Sequence, residues 1–179
     1  MSSLRNSYEL ITNSNRGVYG TRELTIDGIQ GSDNNLAVNG AATPVDFWYQ
    51  PAPGDLFRID VINVTITDNG APEFDNYGNV AGPLANGTRF FQERGGVRVY
   101  SDATYNTNVD WITVATTSEI FDMAVTQRII VYRAEFQRFA SGPVYVGDSG
   151  DKFGIQISDD LSTLTLHNCT LTGAVYRGV

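Results

Sequence analysis

Residues 57–67 constrain the fold of this chain more than any other stretch. Phe57, Ile59 and Val61 share one face of an extended strand, with Arg58 and Asp60 on the other. From Ile62 onward the apolar set becomes Ile62, Val64 and Ile66, opposite Asn63, Thr65 and Thr67. Alternation of this kind calls for a strand with one face in a core; a helix would bury neither set. The phase slips by one residue at Val61 and Ile62. A β-bulge absorbs one extra residue and keeps both sets inward, whereas a strand buried on both faces is the alternative.

The same period recurs along the chain. Leu24 and Ile26 alternate with Glu23, Thr25 and Asp27 before an Asp27-Gly28 turn. Val45, Phe47 and Tyr49 alternate with Asp46 and Trp48, until Pro51 and Pro53 end the run because neither can donate to a ladder. Further strands are expected at residues 97–100, 111–115, 128–139, 144–146, 153–158, 161–171 and 174–177. In residues 128–139 the apolar face is Ile130, Tyr132, Ala134 and Phe136. Asn39-Gly40, Asn69-Gly70 and Asn86-Gly87 mark turns, and residues 70–88 form a loop dense in Gly, Asn and Pro. The one helix candidate is residues 118–127, capped by Ser118 with Ile120, Phe121, Met123 and Ala124 on its apolar side. Many short strands without a fixed repeat predict an all-β fold, an antiparallel β-sandwich or a barrel-like, jelly-roll-like single domain. Residues 1–20 are polar and aperiodic and read as an N-terminal extended arm; residues 21–179 form the domain.

The chain has 41% hydrophobic residues, enough for a core, and a net charge of −8. That charge opposes general binding to a phosphate backbone, so no specific nucleic-acid partner is expected. One cysteine, Cys169, excludes an internal disulfide and fits assembly in a reducing cytoplasm. There is no hydrophobic leader and no apolar run of membrane-spanning length, so neither secretion nor a membrane partner is expected, and the sequons at Asn63, Asn86 and Asn168 read as chance matches.

The search for chemistry yields candidates with plain structural explanations. His167 is the single histidine; Asp160 and Ser162 lie near it in sequence, but it reads as a surface residue on the face of Thr163 and Thr165. No G-x-S-x-G elbow accompanies it. Cys169 reads as a small apolar residue. The carboxylates Asp159, Asp160, Glu73, Asp75 and Glu135 could in principle pair, yet Asp159 and Asp160 point apart if extended and read as a turn. Asp148, Ser149, Gly150 and Asp151, and separately Asp68, Asn69, Glu73, Asp75 and Asn76, are oxygen-rich enough for calcium, but ordinary turn chemistry explains both. Trp48 and Trp111 are candidate sugar-stacking or interface residues. No catalytic, cofactor or metal residues are therefore assigned, and the chain is not expected to be an enzyme.

Three short stretches carry a resemblance: Asn34-Asn35-Leu36-Ala37-Val38-Asn39-Gly40-Ala41-Ala42-Thr43-Pro44-Val45-Asp46-Phe47, then Leu84-Ala85-Asn86-Gly87-Thr88, then Ile157-Ser158-Asp159-Asp160-Leu161-Ser162. In this order, over residues 33–175, the chain resembles small all-β virion proteins of tailed bacteriophages. The resemblance implies a structural protein in the virion that binds other virion proteins and itself in a symmetric assembly. Capsid decoration, head-tail connector or neck, and tail ring or tube all remain open. The alternative from the residues is a carbohydrate-binding β-sandwich using Trp48 or Trp111.

Overall fold

The computed structural model describes residues 17–68, 70, 73–106, 116–123, 127–135, 144–147 and 150–177. Its strands are β1 (Val18–Glu23), β2 (Val45–Tyr49), β3 (Asp55–Asp68), β4 (Thr88–Arg94), β5 (Val97–Tyr100), β6 (Thr116–Met123), β7 (Gln127–Glu135), β8 (Val144–Gly147), β9 (Lys152–Ile157) and β10 (Leu166–Arg177). They form two antiparallel sheets. The larger runs β1-β10-β3-β7-β6, with β8 also pairing the start of β3; the smaller runs β2-β9-β4-β5. The expected all-β sandwich is the fold.

The phase slip in β3 is a bulge. Val61 faces Thr172 and Ile59 faces Gly173, leaving Asp60 as the extra residue. Phe57 and Ile59 before it, and Ile62, Val64 and Ile66 after it, all reach the core. Asp60 is 1% exposed, and Arg58 satisfies its carboxylate with two hydrogen bonds of 2.8 Å while also donating to the Tyr176 hydroxyl at 3.0 Å. Opposite the bulge, a side chain at Gly173 would collide with the Arg58 carbonyl oxygen, so the two backbones approach as only glycine permits.

The core lies between the sheets. β3, β7 and β10 contribute from one side, and Phe47, Tyr49, Phe90, Phe153, Ile155 and Ile157 from the other. Tyr49 meets Phe57 edge to face at 5.1 Å, and Phe90 stacks on Phe153 at 5.7 Å, ring pairs that add to the area they bury. Loops close the ends with Leu36, Tyr77, Leu84, Leu161 and Leu164. The described part of the long loop, residues 73–87, is thus a core plug: a 3-10 turn, Phe74–Asn76, ends at Tyr77 with φ 46°, and that ring lies fully inside.

Four expectations change. Val18 to Gly20, assigned to the arm, belong to β1, which pairs with β10 from Val18↔Val175 onward. Ile26 does not share a buried face with Leu24, because the chain crosses between sheets there: the Leu24 amide donates to the Cys169 carbonyl, while Thr25 exchanges backbone bonds with Trp48. Of the expected helix at 118–127, residues 118–123 are strand β6 and Gln127 opens β7, with Ile120 facing Ile130 and Met123 facing Gln127, while residues 124–126 lie outside the described residues. Eight ladder positions and the β-branched and aromatic residues Thr116, Thr117, Ile120 and Phe121 outweigh a weak helical pattern. Finally, residues 161–165 are turns rather than strand, and β10 continues unbroken through residues 174–177. Residues 111–115, 136–139 and 148–149 lie outside the described residues.

Candidate functional site

His167 is the first nominated residue to be moved. It is fully buried, on the face of β10 shared with Cys169 and Leu171. The Leu164–Leu166 alternation misled because residues 161–165 are not extended, so the phase of the strand is set only after the turn. The His167 Nε2 lies 3.2 Å from the Tyr77 hydroxyl, which is also 3.3 Å from the Thr88 hydroxyl, and the two rings meet edge to face. Its Nδ1 is buried without a hydrogen-bond partner. Burial holds its pKa down at about 4, the nearby Leu36 backbone opposing only in part. It is a neutral core residue whose ring meets Tyr77, while the Ser162 and Asp160 side chains are bonded to each other at 2.6 Å at the surface. Burial likewise pushes the Cys169 thiol up, away from the thiolate a nucleophile needs.

The carboxylates have separate structural duties. Asp159 is 7% exposed and accepts hydrogen bonds from the amides of Ala85, Asn86 and Gly87 at 2.7–3.1 Å, pinning the chain just before β4. Asp160 is exposed and accepts from Ser162 and from Asn39 Nδ2. The Ser162 hydroxyl and amide hold its carboxyl below the usual range, so it is no proton donor near neutrality. Glu73 accepts from Asn76 Nδ2 at 2.9 Å. Of the calcium candidates, Asp151 lies 3.9 Å from Arg94 and accepts from the Gly95 amide, and Asp68 is buried at the end of β3. Among the described residues no group of three or more His, Cys, Asp or Glu is placed to hold a metal ion.

Trp48 is not an open platform. Its indole is half-buried against Gly28, where any side chain would strike the ring nitrogen, and Lys152 Nζ lies 5.0 Å from the ring centroid. Trp111 lies outside the described residues.

What sequence reading missed is the outer face of the smaller sheet. Strand register places Asp46, Gln156 and Arg89 in one row across β2, β9 and β4. The next row is Trp48, Gly154, Phe91 and Tyr100. Phe91 sits on the outer face yet is 1% exposed, because the Arg98 guanidinium covers its ring at 3.9 Å. Gly154 leaves room for that ring; a side chain there would overlap it. From β5, Arg98 bonds Glu93 and then Asp46 on the far strand, and Asp46 in turn accepts from Gln156 Nε2 at 2.9 Å. One cation thus ties all four strands together by a guanidinium fork that lysine could not reproduce. At the end of this face, where β2 and β4 begin and β9 ends, a concave pocket of about 390 Å³ is lined by Pro44, Asn86, Arg89, Tyr105, Gln156 and Ser158 among others.

The open edges are the second feature. β5 ends the smaller sheet and exposes Val97 at 68% and Val99 at 67%, while β1 ends the larger sheet and exposes Val18 at 60% and Tyr19 at 59%. Val97 and Val99 face the inner side of the sheet, opposite Arg94 and Gln92, past the last core residue Phe153. Among the described residues no helix is long and apolar enough to cross a membrane. Comparison of the chain with protein-family models, with curated proteins and with solved structures found no match.

Proposed function

We propose that this chain is a non-enzymatic structural subunit of a bacteriophage-type particle, joining copies of itself and other virion proteins through the open edges of its sandwich. The observation that carries the reading is the β5 edge. Its inward-facing valines run beyond the core, and among the described residues β5 is hydrogen-bonded on one side alone. Exposed edge strands of this kind are templates for pairing, which a solitary protein usually blunts with charge or covers. A neighbouring subunit would complete the ladder along Val97–Tyr100 and bury both valines. The resemblance of residues 34–47, 84–88 and 157–162 to virion proteins of tailed phages supports the same class. So does the role of the nominated chemical residues: His167, Cys169 and Asp159 serve the core and a loop.

Amide hydrogen exchange at two protein concentrations tests the reading. The outward-facing amides of β5 exchange quickly when dilute and become protected under assembling conditions, while core amides such as those of β3 stay slow in both. Equal, rapid exchange of β5 under both conditions would contradict it.

A further inference from the structure

The pocket at the end of the smaller sheet is built from parts that the assembly reading does not use. Asn86 gives its side-chain NH2 to the Ser158 carbonyl at 3.0 Å and to Asp159, and Gln156 gives its own to Asp46. Both amides are therefore held with the nitrogen engaged and, among the described residues, the carbonyl oxygen meets no donor. The supports are themselves braced. Asp159 fixes the backbone of Ala85–Gly87, and Arg98 fixes Asp46. Arg89 projects from the same row of β4, exposed and without an ionic or hydrogen-bond partner among the described residues. Tyr105, 45% exposed, supplies an aromatic wall.

This set asks for a particular ligand chemistry. Two fixed acceptors call for hydroxyl donors, an aromatic ring in a concave wall suits the C–H face of a pyranose, and a free guanidinium fork matches a carboxylate bidentately. The nearby carboxylates, Asp46 and Asp159, are already occupied by Arg98 and by backbone amides, so Arg89 meets no competitor among the described residues of the pocket. We infer that this pocket binds a carboxylate-bearing saccharide, a uronic or sialic acid unit, with Arg89 on the carboxylate and Asn86 and Gln156 on ring hydroxyls.

The test uses the full chain and saturation-transfer NMR with oligomers of galacturonate, glucuronate and N-acetylneuraminate, each beside a neutral galactose or glucose oligomer. At least one acidic oligomer is expected to bind saturably and more tightly than the neutral ones. Arg89→Ala should weaken it at least tenfold, Arg89→Lys less, and Tyr105→Ala several-fold. Both side chains are exposed, so the variants fold, and their unchanged solution mass keeps this result separate from the assembly reading. Failure of the wild-type chain to bind any of the three acids saturably, or affinity unchanged in Arg89→Ala, would overturn the inference.

Discussion

Acidification should weaken this fold through one identifiable side chain. His167 is the single histidine, fully buried, with a folded pKa of about 4 against an ordinary value of 6.5. The direction follows from proton binding. Between those two values the unfolded chain takes up a proton that the folded one refuses, so stability falls as pH drops below 6.5 and the loss levels off below about 4. Linkage over that gap gives a loss of about 2 kcal/mol by pH 5 and about 3 kcal/mol near pH 4, a large share of the total for a domain of this size. Carboxylates as a class also titrate toward the acid end of this range, so the clean comparison is with His167→Gln, which keeps a polar group near the Tyr77 hydroxyl but cannot titrate. Urea denaturation at pH 7.5 and pH 5 should show the wild type losing about 2 kcal/mol more than the variant between the two. A single histidine also gives an unambiguous pair of imidazole C–H signals in proton NMR. A folded-state midpoint near 6.5, or equal pH dependence in both proteins, would refute the buried, neutral assignment.

Three more outcomes follow from the packing. Gly173→Ala drives a methyl into the Arg58 carbonyl at the bulge and should cost about 1–3 kcal/mol in chemical denaturation, with Arg58 shifting from Asp60. Asp159→Ala strips the amides of Ala85, Asn86 and Gly87 of their shared acceptor; a loss of about 1.5–3 kcal/mol and faster exchange of those three amides are expected, with Asp159→Asn milder. Val97→Lys with Val99→Lys changes only exposed positions, so its unfolding free energy should stay within about 0.5 kcal/mol of wild type while self-association drops.

The sandwich was legible because its signal is local. Alternation in β2, β3 and β7 depends on neighbours two residues away, and the slip at Val61 and Ile62 lay one residue from the bulge at Asp60. The β4–β5 hairpin carried a signal that went unread. Gly95-Gly96 between Arg94 and Val97, both with positive φ, is the two-residue turn that matches strand twist. Other features were hidden because they are not local. The phase of His167 is set by a turn five residues long before it, and a Leu164–Leu166 pattern looks the same in strand or turn. Asp159 reads as a turn residue until the chain brings Ala85–Gly87, over seventy positions earlier, onto its carboxylate. The candidate pocket joins residues from four separate segments, and no spacing along the sequence announces it.

The proposal that this chain is an assembling subunit is tested most directly by its solution mass. Light scattering should be run over a range of concentrations on the full chain, on a chain starting at Gly17 so that β1 is kept, and on Val97→Lys with Val99→Lys. A discrete symmetric oligomer in the full chain, lost in the β5 variant, is the predicted result, and its subunit number would separate a decoration-type trimer from a larger ring. A monomer at every concentration, with the same mass in all three proteins, would contradict self-assembly through the β5 edge.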